Sequence, residues 1–416
     1  MSNAFSRRTF LGGAVATLAS LPAPAAPSVK DEDYWAAMAA QYEVSPDFIN
    51  LENAYYGIMA KPVMADFKRN IDKLNRDSSR FLRREFDRDG IDAIRAQLAR
   101  HLGAAEDEIA LTRSATESLQ NLIVNYSRLR KGDTIMYADL DYDAMQFAME
   151  DLAQRSEARV AVVRIPEPAS NDAVLEAYDA AMRANPGLRL LLLTHISHRT
   201  GLVMPVEELT RMAKQRGVDV ILDVAQSWGQ VDFKLSDMQA DFIGGNLHKW
   251  IGAPLGIGFL YIRKARLADI RVHMGNGLFP ANDVRSRVYT GTVNAAALMT
   301  IPAALQLHEQ IGAAAKGARL RYLRDHWVRQ LRGHERIQIL TPDSADGSGA
   351  VTSFRISGKT TPADNATISQ RLMDEFGIFT VVRHGPIGGS CVRVTPALFT
   401  RPADLDKLAA AVKRIA

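Results

Sequence analysis

At 416 residues, with 47% apolar and 24% charged side chains, the chain has the composition of a globular enzyme too long for one small core, which predicts two domains. Its basic excess is small, 51 Lys and Arg against 47 Asp and Glu, and is spread along the sequence, which argues against nucleic-acid or membrane-surface binding. One cysteine, Cys391, excludes an intramolecular disulfide, and no Cys/His cluster has zinc spacing, so no metal site is expected.

Residues 1–26 have the grammar of an export leader. Ser6-Arg-Arg-Thr-Phe-Leu11 supplies a basic start, the apolar run continues to Leu21, and Pro22-Ala-Pro-Ala-Ala26 offers small residues for cleavage. The paired arginines followed by Phe10 and Leu11 resemble the twin-arginine type, which exports folded proteins and predicts a periplasmic location. The plainer alternative is an irregular start that contains two arginines. Residues 27–49 read as an arm with a helix-compatible stretch from Asp31 to Gln41. Phe48 to Leu51 is extended and leads into Glu52-Asn-Ala-Tyr-Tyr-Gly57, a loop punctuated by Gly57 and Pro62. Residues 62–101 read as helical, and the arginines between Ser79 and Arg84 as a solvated face.

From Glu108 short apolar runs alternate with helical segments. The predicted strands are Ile109–Leu111, Thr134–Tyr137, Val160–Val163, Leu188–Leu193, Val218–Leu222, Phe242–Ile243 and Gly258–Ile262; helices start near Ala115 and Tyr142 and span Val206–Gln215. This alternation predicts an α/β domain over 50–300, built on a mainly parallel sheet with ligands at the strand carboxyl ends. A long helical segment from Leu305 to Leu331 then precedes Val351–Ile356, Ala366–Phe376, Phe379–Arg383, Cys391–Val394 and Ala403–Arg414, a smaller α/β domain over 301–416.

Two residues carry the chemical argument. Asp223 ends a buried strand that is apolar apart from Asp219, and Lys249 follows the next strand after two glycines. A carboxylate and an amine at neighbouring strand ends are costly to desolvate unless something between them needs both. Pyridoxal phosphate (PLP) does: it takes a lysine in a covalent imine and an acid on its ring nitrogen. Asp223 alone reads equally well as a strand-end acid capping a loop. Ser114 and Thr116 open the helix after Ile109–Leu111, where unpaired amides make a phosphate seat, although Ser114 with Glu117 is also an ordinary capping box. Gly358-Lys-Thr360 lacks the P-loop's first glycine, since position 353 is Ser, and no early G-x-G-x-x-G supports a nicotinamide enzyme.

Read in order, Thr112-x-x-x-Thr116-Glu117, Asp141-Tyr142, His195-x-Ser197-x-x-x-Gly201, Asp223-x-x-Gln226-Ser227, His248-Lys249, Gly291-Thr292-x-Asn294 and Val392-Arg393-Val394 form one pattern. It resembles the class V aminotransferase family of fold-type I PLP-dependent enzymes, and within it the isopenicillin N epimerase-like branch, from Asn50 to the end. The resemblance implies that Lys249 bonds the cofactor and shuttles protons, that Asp223 pairs with the ring nitrogen and that Gln226 bonds the phenolate oxygen. Tyr142 would stack on the ring with His198 nearby, where many relatives carry Asn, which leaves the ring's tuning open. Ser114, Ala115, Thr116, Asn246 and His248 would hold the phosphate. Gly291 and Thr292 would reach the phosphate of a partner subunit, implying a homodimer. Arg393 would clamp a substrate carboxylate, with Asn53 and Tyr56 beside it, and Tyr55, Arg83 and His384 are further pocket candidates. Taken singly, these residues have plainer readings as core aromatics, core histidines or interface ion pairs.

The expected function is an exported PLP enzyme acting on an amino acid or amino-bearing peptide through carbanion chemistry, epimerase-like. The alternatives are an aminotransferase, a C–S or side-chain lyase (including one tailoring siderophore peptides), and a periplasmic binding protein that keeps the fold without turnover. Cys391 falls in an apolar strand pattern on the same face as Arg393, which reads as packing and argues against sulfur uptake as a persulfide.

Overall fold

The computed structural model describes residues 27–416; the expected leader lies outside the described residues. In chain order the strands are β1 (Ile49–Asn50), β2 (Ile109–Thr112), β3 (Thr134–Ala138), β4 (Arg159–Val163), β5 (Leu188–Thr194), β6 (Asp219–Asp223), β7 (Phe242–Asn246), β8 (Gly258–Ile262), β9 (Ile337–Ile339), β10 (Thr352–Ile356), β11 (Ile378–Phe379), β12 (Val381–Arg383) and β13 (Cys391–Val394).

Seven of them form one sheet in the order β2-β8-β7-β6-β5-β3-β4. Neighbours from β7 through β4 run parallel, while β8 is antiparallel to both β7 and β2. Residues 247–257 between β7 and β8 are too few for a helical crossover, so the chain must return antiparallel. Side-chain alternation fills both faces: Leu191, Leu193 and Leu222 join one apolar cluster, and Leu190, Leu192 and Ile221 join the other. Burial on both faces is why these strands read as continuous apolar runs. Only β4, at the edge, exposes Val160 and Val162.

The C-terminal part carries an antiparallel sheet, β12-β13-β10-β9, packed by helices Ala313–Leu331, Pro362–Phe376 and Pro402–Ile415 around Trp327, Phe354, Leu372 and Val392. Two predicted elements are divided. The helix expected over Leu305–Leu331 breaks at Gly312, whose φ of 82° an α-helix cannot hold, giving Ile301–Ile311 and Ala313–Leu331. The strand expected over Phe379–Arg383 splits at Thr380 into β11 and β12.

The N-terminal arm forms helix Glu32–Ala39, capped by Asp31, with Trp35 buried and Glu32 paired to Arg319 at 2.6 Å. After it, β1 lies parallel to β11, with Ile49 opposite Ile378, and Leu51 enters the apolar cluster of the C-terminal part. The loop before the long helix Lys61–Phe81 is thereby fastened to residues more than three hundred positions later.

Candidate active site

Parallel strands bring their carboxyl ends to one edge, and the registers place Thr194 beside Asp223 and Asp223 beside Gly244. Because β8 runs the other way, its first residue, Gly258, stands there too, between Thr112 and Asn246. A Cβ on Gly258 would lie 2.5 Å from the Ser114 carbonyl carbon, so only glycine lets the turn after β2 pack against β8.

Asp223 is buried, and burial raises its pKa; its Oδ1 accepts from the Ala225 amide at 2.7 Å, and Lys249 opposes the rise. Lys249 follows β7 on a loop and is half-buried. Burial pushes its ammonium down to about 8, against the pull of Asp223. The two do not form a contact ion pair among the described residues. The backbone at Lys249 is held by Gly57, whose amide donates to the His248 carbonyl at 3.0 Å; a Cβ there would lie 2.1 Å from the Lys249 carbonyl oxygen.

The helix Ala115–Val124 starts at this edge. Ser114 caps it, its Oγ accepting from the Glu117 amide at 3.1 Å, and the Ala115 amide donates to Asn246 Oδ1 at 2.6 Å. Thr116 occupies the same first turn, so Ser114, Ala115, Thr116 and Asn246 are brought together. The His248 Nδ1 lies 2.9 Å from the Ile257 carbonyl, and burial lowers the imidazole to about 4. This fixes Nδ1 as the protonated nitrogen and leaves Nε2 turned away from the backbone.

Over Lys249 sit three rings. The Tyr55 ring centre is 5.9 Å from Lys249 Nζ, the Tyr55 hydroxyl helps to raise the Tyr142 pKa, and Tyr142 meets His198 edge-on at 5.1 Å. His198 keeps a buried Nδ1 without a partner among the described residues, and burial with Arg199, Arg393, Arg383 and Lys249 around it holds the ring neutral.

Other expected residues are differently engaged. Gln226, expected on a phenolate oxygen, donates to the Ala54 carbonyl at 2.8 Å and accepts from Trp250 Nε1 at 3.1 Å, so both ends of its amide are taken. Asn53 is spent on structure, with its backbone amide on Thr395 Oγ1 and its Nδ2 on the Thr395 carbonyl at 2.8 Å. Tyr56 is 58% exposed and packs on Tyr55, which is the tyrosine that faces Lys249. Arg393 is fully buried, but it is no open clamp: Nη2 donates to both Glu52 oxygens at 2.6 and 2.7 Å and Nη1 to the His198 carbonyl at 2.6 Å. Gly291 and Thr292 are exposed. Arg83 stays on the exposed face of the N-terminal helical region, and His384 bonds Ser390 Oγ at 3.0 Å. Sequence reading missed Glu52, Arg383 and Lys316, the last a buried lysine whose Nζ donates to the Trp250 carbonyl. Isolated charges in loops and helices carry no local signal; only their tertiary partners mark them.

The family model for class-V aminotransferases matches residues 75–401, and the chain belongs to that family. It is 30% identical to the isopenicillin N epimerases of Streptomyces clavuligerus, over 76% of this chain and 82% of that one, and of Amycolatopsis lactamdurans, over 77% and 84%. A probable chloroplastic L-cysteine desulfhydrase of Arabidopsis thaliana is 26% identical over 71% and 66%. Among solved structures, a cysteine desulfurase from Escherichia coli superposes with a TM-score of 0.77 at 21% identity, covering 91% of this chain and 98% of that one. A cystine C–S lyase with glycine covalently linked to its PLP superposes at 0.75, 19% identity, over 89% and 97%.

PLP is the cofactor these relationships indicate, and the residues fit it. A half-buried lysine of lowered pKa, a buried acid at the adjacent strand end, a capped helix start and the unpartnered His198 Nδ1 converge on one edge of the sheet. The chain is a PLP-dependent enzyme of the class V aminotransferase family.

Proposed function

We propose that this enzyme is an exported homodimer that moves the α-proton of an amino acid or an amino-bearing peptide, with epimerisation as its net outcome. The observation that carries the reading is Lys249: it is half-buried just after β7, the strand next to the one that Asp223 ends, and loss of water pushes its ammonium down to about 8. An amine poised near neutrality both accepts and returns a proton at physiological pH. When bound, PLP supplies an electrophilic carbonyl for the substrate amine and a ring that takes up the electron pair left at the α-carbon. Asp223 Oδ1 is fixed by the Ala225 amide, which aims the acid at the space over the sheet edge. The Thr116 amide at the helix start would hold the phosphate, with Asn246, which already fixes the Ala115 amide, and His248 alongside. Tyr55, 5.9 Å from Lys249 Nζ, and Tyr142, edge-on to His198, border the space around Lys249.

Epimerase-like chemistry is favoured by the two epimerases at 30% identity, matched over most of their length. A persulfide route on Cys391 is disfavoured, because burial pushes its thiol up to about 11 inside β13. A C–S lyase that needs no cysteine is the second reading, favoured by the desulfhydrase relative. The export reading rests on the leader, and folded export suits an enzyme loaded with its cofactor before transport. The homodimer reading rests on exposed Gly291 and Thr292 together with an exposed apolar group, Met274 and Leu278, in the preceding loop.

The test uses the PLP-loaded enzyme in heavy water with a panel of amino acids and amino-terminal peptides. Epimerisation predicts deuterium at the α-carbon and a mixed product configuration with no keto acid. Keto acid, or release of sulfide, would replace the reading by transamination or lysis.

A further inference from the structure

The Glu52–Arg393 pair sits where a substrate carboxylate is expected. Arg393 is fully buried, and its two terminal nitrogens are committed, Nη2 to both oxygens of Glu52 and Nη1 to the His198 carbonyl. A guanidinium receives a carboxylate through a pair of N–H groups, and although the Arg393 Nε has no partner among the described residues, each of its two-pronged edges includes a terminal nitrogen already engaged. Glu52 is itself fixed: its side chain is 8% exposed, its Oε1 accepts from the Tyr55 amide at 3.0 Å, and its backbone bridges to Thr395.

A second guanidinium lies on the same face of the same sheet. Val381 stands opposite Arg393, and Arg383 is two residues further along β12, so its side chain projects to the side Arg393 occupies. Arg383 is partly exposed, at 19%, and its nearest acid is Glu52 at 3.8 Å. Among the described residues its side chain makes no hydrogen bond, and its Nε is buried without a partner. Its guanidinium carbon and Lys249 Nζ each lie 5.9 Å from the centre of the Tyr55 ring, and its charge is one of those that lower the Lys249 ammonium, so both cations border the same tyrosine. Two arginines and one glutamate leave a single uncompensated positive charge, and it is the outer one.

Building on the PLP reading above, we propose that Glu52 sets specificity by occupying Arg393 from within the chain, and that Arg383 receives the substrate's carboxylate. The site then selects an amine whose carboxylate lies farther from the reacting nitrogen than in an α-amino acid, such as a longer ω-amino acid or an amino-terminal peptide. Glu52 and Arg383 act by binding and positioning; the proton transfer stays with Lys249.

The experiment titrates the PLP-loaded enzyme with glycine, β-alanine, 4-aminobutanoate and 5-aminopentanoate, reading the dissociation constant from the change in visible absorbance. The wild type is expected to bind the longer acids at least tenfold more tightly than glycine. Glu52→Gln, which leaves Arg393 one neutral acceptor in place of two charged oxygens, is expected to tighten glycine at least tenfold. Arg383→Gln, at a half-open position with no hydrogen bond to lose, is expected to weaken the longer acids at least tenfold and leave glycine unchanged. Tightest binding of glycine by the wild type, weaker glycine binding in Glu52→Gln, or unchanged long-acid binding in Arg383→Gln would each overturn the assignment. Should Glu52→Gln fail to fold, the Arg383→Gln comparison decides alone. An enzyme that gains no visible absorbance with PLP would instead overturn the cofactor reading on which this rests, so the two failures are told apart.

Discussion

Lys316 is buried and Lys249 half-buried, neither with an ion-pair partner among the described residues, and loss of water pushes the two ammoniums down to about 7 and about 8. In the unfolded chain each returns to about 10.4, so between pH 7 and 10 the unfolded state binds more protons than the folded one. Stability must therefore rise with pH across that window. The rise ends near pH 10, where buried tyrosines such as Tyr42 and Tyr261, both pushed up to about 12, begin to favour the unfolded chain. Denaturant midpoints of the PLP-free protein are expected to climb from pH 7 to 10, and Lys316→Met to flatten the lower half of the climb; a midpoint that falls over this range would contradict the burial of both amines. Lys249→Ala should abolish turnover, by on the order of 10³-fold or more in kcat, while its circular dichroism stays native. Retained turnover in that variant would remove the lysine from the mechanism.

The site edge is set by how strands and helix ends meet, and substitutions there separate fold from cofactor binding. Ser114→Ala removes a cap that holds the Glu117 amide and is expected to lower stability by about 1 kcal/mol. Gly57→Ala places a methyl against the Lys249 carbonyl, so the loop must shift. Its expected signature is PLP affinity at least tenfold weaker by absorbance titration, with a smaller loss in thermal midpoint than a core truncation gives; unchanged affinity would mean that the loop does not hold Lys249. The strands of the large sheet were legible because burial on both faces makes them apolar runs, and Asp223 and Lys249 because a charge at the end of such a run is conspicuous. The antiparallel β8 was not legible, since Gly258–Ile262 is as apolar as its parallel neighbours and only the short connection before it betrays its direction. Neither was the engagement of Gln226 and Asn53, because a side-chain amide looks alike in sequence whether it meets a ligand or the Ala54 and Thr395 carbonyls. Glu52 stood in the sequence in plain view, but its partner lies hundreds of residues away.

At the scale of the whole molecule, one chain is expected not to complete the site. Gly291 and Thr292 are exposed here, and Met274 is 98% and Leu278 74% exposed on the loop before them. Light scattering is expected to give a dimer; Met274→Asp with Leu278→Asp should yield monomers that bind PLP more weakly, whereas a wild-type monomer with full activity would remove the shared-site reading. Within each chain the fastening of the start to the end has a temporal meaning. Ile49 waits for Ile378, Glu52 for Arg393 and Asn53 for Thr395, so none of these contacts can form until nearly the whole chain has been synthesised. At about 5–20 residues per second, the ribosome needs on the order of tens of seconds to make the intervening chain. The strands from β2 to β8 have everything they require well before that. A newly made molecule therefore passes through an interval with its large sheet assembled and its substrate-facing wall still missing. The contacts of Glu52 and Asn53 close last, beside an edge where Asp223 and Lys249 already stand, and they join two distant stretches of one polypeptide.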